Sequence, residues 1–222
     1  MEQQVKSTFE RHLATFTEQL NTINSYTALY KHLYDKRSDS ASLDAMNKAP
    51  AFFSLTIHAF QHMYILGIAK ICEERSKTSV TIFSFLDFIE NNYPLIFNAS
   101  PLRSTHEKVD STLIQAHRDK LAEFADCIKH ITAWRDKSFA HSDKQFLGEK
   151  QSKLSEKFPI TYGEIKALIE LISDIINTYS AAYFDKVTSI EATNLYDIDK
   201  VLNILINQNQ NFDSIRKPPI KE

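Results

Sequence analysis

At 222 residues, with 43% hydrophobic and 24% charged side chains, the chain has the balance of an ordinary globular protein and the length for one sizeable core. Its formal net charge of −2 excludes a protein that coats nucleic acid by bulk electrostatics and leaves only a local basic groove for such a role. Three glycines (Gly67, Gly148, Gly163) cannot build a Walker or dinucleotide phosphate loop, so most nucleotide-dependent enzyme classes fall away and no cofactor is expected.

The opening residues, Met1 to Lys6, are polar, without the apolar stretch and small-residue cleavage site of a signal peptide, so a cytoplasmic protein is expected. From Val5 to about Lys36 the residues Phe9, Leu13, Phe16, Leu20, Ile23, Tyr30 and Leu33 recur at threes and fours, which predicts a long amphipathic helix. Ser38 to Ala49 reads as a polar link, and Pro50 suits the first position of the next helix, where its missing N–H is not needed.

Residues 50–75 form the richest helical pattern. Its apolar part, Phe53 to Cys72, is interrupted by His58, Gln61, His62 and Lys70, each costly in hydrocarbon, so a core helix is expected and no membrane span. His58 and His62 lie one turn apart and could supply two metal ligands, but no third ligand is in view; the polar edge of a core helix is the better reading and no metal site is expected. Val80 to Glu90 predicts a short, very apolar helix, and Asn91 to Asp110, with Pro94 and Pro101, the longest irregular connection. Cys72 and Cys127 sit in apolar patterns far apart, as buried free thiols of a reducing compartment would.

Ala116 to Arg135 returns to helix, with Leu121, Phe124, Ile128, Ile131 and Trp134 on one face. The pattern then turns abruptly polar: Trp134-Arg135-Asp136-Lys137-Ser138-Phe139-Ala140-His141-Ser142-Asp143 gathers a cation, carboxylates, hydroxyls and an imidazole at the end of a helix. On an ideal α-helix His141 would stand about 120° round and about 9 Å along from Arg135. The two converge only if the helix ends or bends between them, if Arg135 stretches along the surface, or if a second copy faces the first. Ser142 to Phe158 is charged and reads as a loop or loosely held extension; its lysines are either a solvated face or phosphate contacts. Thr161 and Glu164 form a capping box for a long helix to about Phe184. A last helix spans roughly Asp197 to Asn209, ahead of a tail expected to be mobile.

An Arg, a polar residue and then a His at the end of a helix, as in Arg135-Asp136 with His141, resembles the signature of the HEPN superfamily. With Trp134, Lys137, Ala140 and Asp143, and upstream the apolar helix Phe52 to Cys72 and Ile82-Phe83-Ser84-Phe85-Leu86, the chain is similar to the abortive-infection protein U branch over roughly residues 10–185. The resemblance implies an all-α, HEPN-like helical bundle of about five to six helices that forms a homodimer, with residues 1–190 as the domain and 191–222 as a C-terminal helix and tail. It implies a metal-independent endoribonuclease in a toxin-antitoxin or phage-defence role, with Arg135 and His141 catalytic and Asp136 orienting them. Lys137, Lys144 and Lys150 are the lysines expected on the RNA, and an antitoxin protein is a further expected partner. HEPN toxins silenced by a nucleotidyltransferase carry a Tyr two residues after the His; Asp143 stands there in this chain, so that control is not carried over. The alternative is a helical module of the same fold that binds RNA or a protein partner without chemistry.

Overall fold

The computed structural model describes residues 1–73, 80–97, 108–140, 150–189, 192 and 195–216, apart from the side chains of 138–140, 150–152 and 208–216. Among the described residues it is all-α, without a strand. The helices are α1 (Glu2–Lys36), α2 (Ser40–Met46), α3 (Pro50–Ile71), α4 (Ile82–Phe97), α5 (Ser111–Ala122), α6 (Ala125–Trp134), α7 (Lys150–Lys157), α8 (Tyr162–Phe184) and α9 (Leu195–Arg216), with a π-helical stretch at Arg135–Ala140.

Helix is found at each of the six expected patterns, and the additional elements come from three places. The link after α1 holds α2, capped by Asp39, whose carboxylate accepts from the Ser42 N–H. The pattern ending at Trp134 is two helices: α5, started by Asp110 accepting from the N–H groups of Thr112 and Leu113, and α6, restarted after Glu123–Phe124. The charged stretch before Pro159 contains α7, held down by Leu154, which is buried. A further difference lies in α4, which runs through Pro94 to Phe97 instead of ending at Glu90. Proline removes one helical hydrogen bond there. Burial of Ile96 and Phe97, each worth roughly 1.5–3 kcal/mol, offsets it.

The chain divides into two compact units, Met1–Asn24 with Tyr64–Glu191 and Ser25–Met63 with Ala192–Glu222. The first holds an aromatic cluster. Phe9 stacks on Phe85 and meets Phe97 and Tyr183 edge-on, Phe16 packs on Phe85, and Tyr179 sets its edge against Phe85. Tyr179 is fully buried, and its hydroxyl shares a 2.9 Å hydrogen bond with Nδ1 of buried His117. α8 begins at the expected capping box: the Thr161 hydroxyl accepts from the Glu164 N–H and the Glu164 carboxylate accepts from the Thr161 N–H. Both cysteines are buried and free; burial pushes the Cys72 thiol up to about 12 and that of Cys127 up to about 11, so neither is a nucleophile.

The second unit closes around Leu33, Ala45, Met46, Phe53 and Leu202. Asp199 accepts from Lys36 Nζ at 2.7 Å and pairs with His32 at 3.0 Å. α3 is buried along Tyr64, Ile65, Ile68, Ala69 and Ile71, whereas Phe52 and Leu55 in its N-terminal half are exposed, as is Met63 further along. It is the one helix among the described residues long and apolar enough to cross a membrane, by length and composition alone.

In the first unit α1 and α3 touch at Gly67, where an added Cβ would lie 2.6 Å from Ile23 Cγ1. Gly67→Ala gains about 1 kcal/mol of helix propensity, and forcing the helices apart costs typically 1–3 kcal/mol. We expect a net loss in denaturant unfolding, and Ile23→Ala in the same chain should remove most of the clash. The His117–Tyr179 pair generates a pH dependence. Burial, with a smaller contribution from Lys120, pulls His117 down from 6.5 to about 4, so the unfolded chain binds the extra proton between those values. The contribution of neutral His117 is therefore whole above about 6.5 and lost as pH falls towards 4, roughly 2–3 kcal/mol in all. Unfolding followed from pH 7 to 4 should show that loss in the wild type and not in His117→Gln.

Candidate functional site

α6 is amphipathic, with Cys127, Ile128, Ile131 and Trp134 buried. Its last residue is tied down at the polar end of the side chain: the Trp134 indole N–H donates to the Phe158 carbonyl at 2.9 Å. One turn earlier His130 Nδ1–H donates to the Pro159 carbonyl at 2.8 Å, and its ring meets Phe158 edge-on. Two hydrogen bonds and a ring contact thus hold the end of α6 against the segment that leads into α8. The side chain of Arg135 leaves from this fixed end.

At Arg135 the backbone stops being α-helical. Arg135–Ala140 is π-helical, with i→i+5 in place of i→i+4 hydrogen bonds. The wider turn takes the backbone of Asp136 to Ala140 off the α-helical spacing of α6. π-turns inside helices are frequent at functional sites because the irregular backbone is retained against its own cost.

The Arg135 side chain is half-buried and held by two carboxylates. Its Nε donates to Asp136 Oδ1 at 2.8 Å, and its Nη1 donates to Glu73 Oε1 at 3.3 Å. The Asp136 hydrogen bond, its charge and Glu73 together push the guanidinium above its ordinary value against the effect of burial, so it stays charged at any working pH. Of five N–H donors, two are committed. The remaining Nη1 hydrogen and both hydrogens of Nη2 have no partner among the described residues and are donors of the kind that match two oxygens of a phosphate.

The structure thus joins two of the expected site residues, Arg135 and Asp136. Lys137 lies beside them in the π-helical stretch, half-buried. Lys150 opens α7, but its side chain is outside the described residues; His141 and Lys144 lie outside them altogether. Among the described residues no cluster of three or more His, Cys, Asp or Glu could hold a metal. His62 is pulled down by burial and by neighbouring His58, as two imidazoles one turn apart on an apolar helix face would be.

Glu73 was not legible as a site residue. It belongs to an acidic pair after a long apolar helix, a pattern that reads as a solvated helix end, and 62 residues separate it from Arg135. Only the folded structure, which brings Glu73 to Arg135, could reveal it.

The chain matches the family described as AbiU2, a HEPN family, over residues 6–203. No curated protein and no solved structure matches it.

Trp134→Phe keeps one aromatic ring but removes the pyrrole half of the indole with its N–H donor, leaving the Phe158 carbonyl without that partner and a small void beside it. A loss of about 1 kcal/mol is expected. Amide hydrogen exchange should show it as faster opening at Arg135, Asp136 and Lys137, with α1 unchanged.

Proposed function

Since the chain belongs to the AbiU2 family of the HEPN superfamily, we propose that it is a metal-independent endoribonuclease with Arg135 and His141 as its catalytic pair. The observation that carries the reading is the Arg135 guanidinium, fixed at the end of α6 between Asp136 and Glu73 with its terminal fork uncommitted. A guanidinium so held can clasp two oxygens of a phosphodiester and stabilise the added negative charge of a pentacoordinate phosphorus. His141 brings an imidazole, the side-chain type suited to proton transfer in neutral solution, and takes the proton of the ribose 2′-OH or delivers one to the departing 5′ oxygen. Attack of the 2′ oxygen on phosphorus then breaks the bond to the 5′ oxygen, and the products are a 2′,3′-cyclic phosphate and a 5′-hydroxyl.

Asp136 has the part of an orienter. Its carboxylate holds Nε, and the Glu73 contact adds a second point that resists rotation about the side chain's last torsions. Lys137, Lys144 and Lys150 would follow the RNA phosphates. The working form is a homodimer that brings two Arg/His motifs to one cleft, as HEPN membership implies, in a cytoplasmic toxin or phage-defence role with an antitoxin protein as its counterpart.

The test is cleavage of end-labelled RNA in EDTA by wild type, Arg135→Ala and His141→Ala, with the product ends analysed. Wild type should cleave and leave cyclic phosphate. Loss of the His should slow the reaction by about 10²–10⁴-fold, and loss of the Arg by about 10²–10³-fold. Failure of wild type on several RNAs, with dimerisation confirmed, would sink the catalytic reading in favour of a module that binds RNA or protein without cutting. Activity abolished by EDTA alone would point to a metal and back to His58 and His62.

A further inference from the structure

A cavity of about 480 Å³ lies in the first compact unit against the same face of α6 that ends in Arg135. Its walls are apolar, supplied by Cys72, Phe83, Leu121, Ala125 and Ile128, and its rim is polar. Glu73 belongs to this rim and is also the carboxylate that accepts from Arg135, so the cavity adjoins the Arg135 guanidinium.

Three features of the lining point to one kind of occupant. The Phe83 ring is half-exposed and, unlike Phe9, Phe16, Phe85 and Phe97 in the same unit, packs against no other ring among the described residues. Lys129 is exposed and has no ion pair or hydrogen bond among them. Arg118 gives both of its bonds through Nη2, to Asp87 at 2.6 Å and Glu90 at 2.8 Å, which pin the side chain and leave its Nε and Nη1 hydrogens for another acceptor. Lys129 and Arg135 stand six residues apart on one helix, about 9 Å along the axis, too far to share one phosphate and suited to separate ones.

We infer that this cavity is a nucleotide subsite, in which a base of the RNA strand stacks on Phe83 while Lys129 and Arg118 hold a neighbouring phosphate. Apolar walls alone would equally suit a side chain from a protein partner. An unpaired aromatic face together with two cations that retain free donors is the composition by which proteins hold single-stranded nucleic acid, stacking for the base and charge for the backbone. The subsite makes binding near Arg135 depend on the presence of an unstacked base, with only modest preference among the four bases, because every base offers a face to the ring.

The inference rests on the reading of the chain as an RNA-cleaving protein, but it is measured without cleavage. The full-length protein is titrated with the four ribonucleoside 5′-monophosphates and with ribose 5-phosphate, which carries the charge and no base, and amide shifts are followed by NMR. At least one nucleotide should bind about five- to a hundredfold more tightly than ribose 5-phosphate, the range expected for stacking one base on an aromatic ring. Phe83→Ala and Phe83→Leu should both erase that difference, the leucine variant guarding against simple collapse of α4, whereas Lys129→Ala should weaken nucleotide and ribose 5-phosphate alike. Equal binding of nucleotide and sugar phosphate by wild type, or a base preference that survives Phe83→Leu, would overturn the subsite. So would saturation by a short apolar peptide with no response to any nucleotide. Base-dependent binding in a protein that cleaves no RNA would leave the subsite standing and remove the catalytic reading; RNA cleavage with no base-dependent binding would do the reverse.

Discussion

The first compact unit depends on finding a partner for one buried hydroxyl. Tyr179 lies in the middle of α8 with its ring fully buried against Phe85, so its O–H cannot reach water. An unsatisfied hydroxyl there would cost on the order of 1–3 kcal/mol. His117, projecting from α5, supplies the partner, and in doing so fixes the rotation of α5 against α8. Burial of the imidazole keeps it neutral, which makes it a structural histidine and takes it out of any proton-transfer chemistry near neutral pH. Around that polar pair the contacts are apolar and less directional, from Phe9 and Phe16 of α1 and Phe85 and Phe97 of α4.

The same logic of a buried ring with a satisfied polar tip recurs at the edge of the unit. Trp134 buries its ring at the end of α6 and spends its N–H on the Phe158 carbonyl. The next residue is Arg135, and there the α-helix gives way to a π-turn. Rigidity and irregularity therefore meet at one peptide bond. The anchored helix fixes where the guanidinium starts, and the widened turn sets the course of the chain beyond it. A regular helix at this point would continue the apolar face of α6 and carry the polar residues after Arg135 around the axis at the usual pitch.

Most of the fold was legible because its signal is local. Periodicity at threes and fours marked α1, α5 with α6, and α8, a long apolar run behind Pro50 marked α3, and the Thr161–Glu164 box marked the start of α8. The misses share a cause, tertiary burial outweighing local preference. Ile96 and Phe97 carry α4 past Pro94, and Leu154 holds a helix in a stretch that composition reads as solvated. For the site, Arg135 and Asp136 are adjacent in sequence, so their pairing could be anticipated. The partner Glu73 could not be, since no spacing rule connects the end of one helix with the end of another 62 residues on. The π-turn also escaped, because π-helical hydrogen bonding has no composition of its own; Arg-Asp-Lys-Ser-Phe-Ala would suit an α-helix as well.

The carboxylates beside Arg135 bear on how an acidic protein could act on RNA as proposed. With a net charge of −2, the whole-molecule field gives no steering toward a polyanion, so affinity must come from local contacts. Glu73 and Asp136 reduce the positive potential at Arg135 further, which weakens ground-state attraction for phosphate. They also fix the guanidinium before any ligand arrives. On the proposed mechanism, charge accumulates on the phosphoryl oxygens as the 2′ oxygen attacks, and a preoriented fork responds to that charge without having to reorganise. A cation loosely held in a strongly positive groove would bind substrate and transition state alike and gain little rate from doing so. If Arg135 acts as proposed, the arrangement gives up unselective grip on a polyanion for stabilisation concentrated at the transition state.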